Sequence, residues 1–123
     1  MNASEPEITR DDVIAELDAR IGHVAAVLKG RRGNVRRSLT GWQSALEDAR
    51  KSVVAGTITA AEVNALVHRG CRLAGAVPAQ RVGHDGETEV WIATDEAVSG
   101  NVAIVQRLGR LLRTQASGGD ASP

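Results

Sequence analysis

The sequence predicts a mainly α fold: an antiparallel helical hairpin plus two further helices, with one short β-hairpin between helices three and four. Three observations carry this expectation. Apolar residues recur at three- and four-residue steps through two adjacent stretches joined by a Gly-containing turn, the spacing of one buried helix face. One stretch alone, 79–93, is strand-like, and an Asp-Gly pair sits near its middle. The chain has no Phe, no Tyr and only 2 Trp, so its core must come from Val, Leu, Ile and Ala, whose small side chains suit closely packed helices.

Length and composition bound the architecture. The 123 residues fit one compact domain and are too few for two ordinary ones. The expected organisation is a disordered N-terminal lead over 1–8, a single helical domain over 9–115 and a flexible tail over 116–123. No apolar run reaches the length of a membrane span, and the polar, acidic start does not resemble a signal peptide. A cytoplasmic protein without membrane contact is expected, and lone Cys71 offers no internal disulfide framework.

The first helix starts at Thr9, whose hydroxyl can cap free amides, while Asp11 and Asp12 sit where the helix dipole favours negative charge. Its stripe is Ile14, Leu17, Ile21, Val24 and Leu28. The segment 29–34 carries two glycines and ends in Asn34, a candidate cap for the second helix. There the stripe runs Val35, Leu39, Trp42, Leu46, Ala49 and Val53, the cleanest periodic signal in the chain. Two such stripes joined by a short turn imply antiparallel packing. Gly41 inside this helix costs about 1 kcal/mol relative to Ala, which suggests close packing or a bend beside Trp42.

Gly56 closes the second helix, and Thr59-Ala-Ala-Glu62 matches a capping box for the third. That helix is expected to reach about Ala74, with Val63, Leu66, Val67, Leu73 and Ala74 inward. The β-hairpin follows in one of two registers. A two-residue Asp85-Gly86 loop pairs Val82 with Glu89, whereas a three-residue loop ending at Glu87 pairs Val82 with Val90 and sets Arg81 opposite Trp91. The segment Thr94-Asp-Glu96 then caps a last helix with Val98, Val102, Val105, Leu108 and Leu112 inward.

Little in the sequence points to catalysis or to a cofactor. His23, His68 and His84 are scattered, and the paired acids Asp11-Asp12, Glu47-Asp48 and Asp95-Glu96 fall at helix starts or on a polar face. No nucleophile can be placed beside a base and an orienting group. His68 and Cys71 share a helix face and could be joined by His84, but this spacing lacks the paired ligands of a structural zinc site. No metal or other cofactor is expected.

Charge is the more informative property. The formal net charge is +0, yet 1–28 and 85–106 are acidic while 29–55 is basic. Segregated charge can steer a partner or let two copies dock in complementary fashion. Lys29, Arg31, Arg32, Arg36 and Arg37 cluster at the tip of the expected hairpin, where they can meet phosphates or an acidic protein surface. Pairing with the acidic helices of the same chain would leave them a purely structural role.

The preferred expectation is a non-enzymatic interaction or assembly module that associates with itself or docks on a protein partner. A small accessory or structural subunit of a phage or mobile element would suit. Trp42, Leu46 and Trp91 are its candidate interface residues. The alternative is a winged-helix-like DNA-binding regulator, in which helices two and three form a helix-turn-helix, the β-hairpin is the wing, and Arg69, Arg72 and Arg81 contact DNA. Neutral overall charge and the acids around the wing tip weigh against it.

Overall fold

A computed structural model describes residues 8–70, 79–85 and 87–121. Four helices and one β-hairpin follow in order: α1 (Arg10–Leu28), α2 (Gly33–Ala55), α3 (Ala60–Gly70), β1 (Ala79–Asp85), β2 (Thr88–Ala93) and α4 (Ser99–Ala121). The predicted fold class is the one observed. The hairpin α1–α2 packs along its length, α3 joins α2 and α4, and α4 returns against α1 and β2.

The helix starts explain why these segments form. The Thr9 hydroxyl accepts from the Asp12 amide at 3.1 Å, and the Asp12 carboxylate accepts from the Thr9 amide at 3.2 Å, so α1 opens with a reciprocal cap. At α3 the Thr59 hydroxyl accepts from the Glu62 amide at 3.2 Å, while the Glu62 carboxylate takes the Ser52 hydroxyl at the same distance. Glu62 thereby ties the end of α2 to the start of α3. Gly56 ends α2 with φ at 76°, and the Thr57 amide donates back to Ser52 O at 2.8 Å. That left-handed closure favours glycine.

The core is aliphatic and spans all four helices. Val13, Leu17, Val24 and Leu28 are buried from α1, and Trp42, Ala45, Leu46, Ala49 and Val53 from α2. Val63, Leu66 and Val67 join from α3, and Val102, Ile104, Val105, Leu108 and Leu111 from α4. Several details depart from expectation. Ile14, Ile21 and Leu39 are only partly buried at the edge of this core, and Val35 is 54% exposed. Ile8, assigned by sequence to the disordered lead, is 3% exposed within the core, and α4 runs past residue 115. Leu73 and Ala74 lie outside the described residues.

The observed β-hairpin follows the second expected register away from the turn and neither expected register next to it. Asp85 faces Thr88, His84 faces Glu89 and Gly83 faces Val90, after which a bulge shifts the pairing. Beyond it Arg81 faces Trp91, as the second register requires, and Gln80 faces Ile92. Val82 falls at the bulge and pairs with neither Glu89 nor Val90. Asp85 is paired and so belongs to neither expected loop, and the extra residue at Val82 shifts the pairing by one to the register in which Arg81 meets Trp91.

Strand β2 is fastened by side chains on its far edge. The Glu89 amide donates to Asn64 Oδ1 at 2.9 Å, Asn64 Nδ2 donates to Glu87 O at 3.1 Å, and the Trp91 amide donates to Gln106 Oε1 at 3.3 Å. Asn64 of α3 and Gln106 of α4 thus substitute for a third strand. Thr88, buried at 2% exposure, accepts from Arg113 Nη1 at 3.0 Å through its hydroxyl. Asp95, rather than Thr94, caps the turn before α4, its Oδ1 accepting from the Ala97 amide at 2.8 Å.

Candidate docking surface

The tip of the α1–α2 hairpin is built by a helix end and a helix start that meet across four residues. Lys29 caps α1, Gly33 adopts φ of 65°, and α2 begins there. The expected cap is corrected here: Arg32 occupies the N-cap and makes no side-chain cap hydrogen bond, while Asn34 lies inside the first turn. That turn contains no acidic residue either. The positive end of α2 therefore adds to the charge of the surrounding arginines instead of being offset by its own chain.

All five predicted cations are exposed at this tip. Arg36 has a structural task, for its Nη1 donates to Leu28 O at 2.9 Å and so satisfies a carbonyl at the end of α1. The side chains of Lys29, Arg31, Arg32 and Arg37 make no hydrogen bond or ion pair among the described residues. Neutralisation by the acidic helices is not what this geometry shows. Two of those acids are engaged elsewhere: Asp18 takes Arg50 at 2.6 Å, and Glu16 takes Arg107 at 2.6 Å.

These two pairs bridge helices, Asp18 of α1 to Arg50 of α2 and Glu16 of α1 to Arg107 of α4. The Arg107 guanidinium is raised above its ordinary value by its hydrogen bonds to Glu16, as that of Arg50 is by Asp18. Each arginine is thus held in its charged form. The Glu16–Arg107 pair lies in an open groove between α1 and α4, with Arg20, Gly100, Ala103 and Ile104 around it. Arg20 covers Gly100 so closely that any side chain there would displace the guanidinium.

The predicted interface residues separate into two environments. Trp42 and Leu46 are 2% and 0% exposed, so they belong to the interior of this fold and present no surface to a partner. The periodic stripe that suggested an interface is the internal face of α2. Trp42 Nε1 is buried without a hydrogen-bond partner among the described residues. Trp91 is half-buried: its Nε1 donates to Glu89 Oε1 at 3.1 Å, and its ring meets His68 edge-on with centroids 5.6 Å apart.

Two of the residues named for DNA contact are described, on different elements. Arg69 is exposed on α3, whereas Arg81 on β1 pairs with Glu89 at 3.3 Å. Arg72 lies outside the described residues, as does Cys71 of the His68–Cys71–His84 arrangement. Among the described residues no group of three or more His, Cys, Asp or Glu side chains is placed to hold a metal ion. No helix among them is long and apolar enough to cross a membrane.

Sequence reasoning missed Val35 as a surface residue. It continues the core stripe at perfect helical spacing, but α1 ends at Leu28 and leaves nothing to cover the first turn of α2. The short turn between Leu28 and Gly33 was the available signal. Compared with protein-family models, curated proteins and solved structures, the chain matches none.

Proposed function

We propose that this protein is a non-enzymatic interaction module that docks on a protein partner, or on a second copy of itself, through the basic tip of its α1–α2 hairpin. One observation supports this reading above the others: Lys29, Arg31, Arg32 and Arg37 stand exposed together with no ion pair among the described residues, whereas Arg50, Arg81 and Arg107 each meet a carboxylate. Arginine suits such a role because its planar guanidinium binds carboxylates bidentately and remains charged. The rigid hairpin behind the tip lowers the ordering cost of docking.

A winged-helix reading gains less support. Its wing carries Glu87 and Glu89 close to the tip, and Glu89 engages Arg81, one of the three cations expected to contact DNA. Affinity capture from the native source tests the proposal, with wild type compared against Arg31→Glu/Arg32→Glu/Arg37→Glu. Partners retained by wild type and lost by the folded variant are expected. An unchanged set of partners, together with an unchanged mass in light scattering, would overturn the proposal.

A further inference from the structure

Charge alone does not describe the hairpin tip. Val35 is 54% exposed, one of four large apolar residues left at the surface among those described. Helical spacing puts it on one face with Arg32, one turn before it, and Leu39, one turn after it, whereas Arg37 falls on the other side of α2. Leu39 is partly buried and packs against the core. The unpaired Arg32, with Arg31 just before it in the turn, thus adjoins an apolar spot that is backed by packed side chains.

This combination discriminates between anionic partners. Phosphate backbones are met by cations and need no apolar contact, and a chain of zero net charge lacks the long-range field of a general polyanion binder. Protein interfaces instead place an apolar contact at the centre and charged groups at the rim. We infer that the hairpin tip receives an acidic protein segment carrying an apolar residue, which packs on Val35 while its carboxylates meet Arg31 and Arg32. This inference rests on the docking function proposed above and narrows the partner to one chemistry.

Fluorescence anisotropy with two short acidic peptides tests it, one bearing a central Leu and the other Ser at that position, with duplex DNA as a competitor. The Leu peptide is expected to bind about fivefold more tightly, the size expected for partial burial of one aliphatic side chain. Val35→Ser should erase that preference while leaving the Ser peptide unaffected, and Arg31→Glu/Arg32→Glu should weaken both peptides by tenfold or more. Circular dichroism confirms that each variant is folded. Equal binding of the two peptides, still lost on charge reversal, would overturn the apolar requirement and leave the basic docking tip standing. Stronger binding of DNA than of either peptide would overturn the inferred partner class. Binding of neither peptide, or binding indifferent to charge reversal, would remove the tip as a docking site and this inference with it.

Discussion

Arg36 Nη1 donates to the carbonyl oxygen of Leu28 at 2.9 Å, joining the first turn of α2 to the last turn of α1. One cation of the basic tip is thereby set apart from its four neighbours, which have no such partner among the described residues. Removing it should cost stability, because a charge-assisted bond to a helix-terminal carbonyl is lost. Arg36→Ala is expected to lower unfolding free energy in urea by about 1 kcal/mol, whereas Arg31→Ala and Arg37→Ala should stay within about 0.5 kcal/mol of wild type. Equal costs for all three would mean that the Arg36 contact contributes nothing.

The attachment of the β-hairpin depends on Asn64. Its side chain accepts from the Glu89 amide and donates to Glu87 O, at 2.9 and 3.1 Å. Asn64→Ala leaves both strand groups without a protein partner and should cost about 1–2 kcal/mol. Hydrogen exchange is the sharper readout. The Glu89 amide should exchange faster in the variant, with the amides in the middle of α2 little changed.

Two glycines of α2 make opposite predictions. A Cβ at Gly41 would meet nothing within 4 Å, so neither close packing nor contact with Trp42 requires glycine there. Gly41→Ala should stabilise the protein by up to about 1 kcal/mol through helix propensity alone. At Gly56 the φ of 76° disfavours any side chain, and Gly56→Ala should destabilise by about 1 kcal/mol. Thermal unfolding measures both. A loss of stability for Gly41→Ala would indicate a packing role absent from this structure.

The two tryptophans should be distinguishable by quenching. Trp42 is 2% exposed, while Trp91 is partly open to solvent. In Trp91→Phe the remaining indole should emit at shorter wavelength and resist iodide, and in Trp42→Phe the remaining one should be quenched readily. Comparable quenching in the two variants would contradict the placement of Trp42 in the core.

The helical architecture was legible because each element carries a local signal: Thr9 and Thr59 before helices, Gly56 after one, and three- or four-residue apolar steps between them. The hairpin register was less so. Turn chemistry and apolar alternation favour pairings one residue apart; the strands follow the second beyond Val82 and neither between Gly83 and Asp85, and the bulge has no separate sequence mark. Interior and surface parts of one stripe were also indistinguishable in sequence. Leu46 and Val35 obey the same spacing, yet one is 0% and the other 54% exposed, because only the structure shows where α1 stops covering α2. The basic cluster itself was plain in the sequence, but the separate task of Arg36 depended on a contact eight residues away.

The position of the docking surface is the central claim, and amide chemical-shift mapping tests it most directly. Isotope-labelled protein titrated with the Leu-bearing acidic peptide should show its largest perturbations over 29–39, saturating together and diminishing as salt is added. Perturbations centred instead on Arg69 and the β-hairpin, with 29–39 unmoved, would contradict the assignment of function to the hairpin tip.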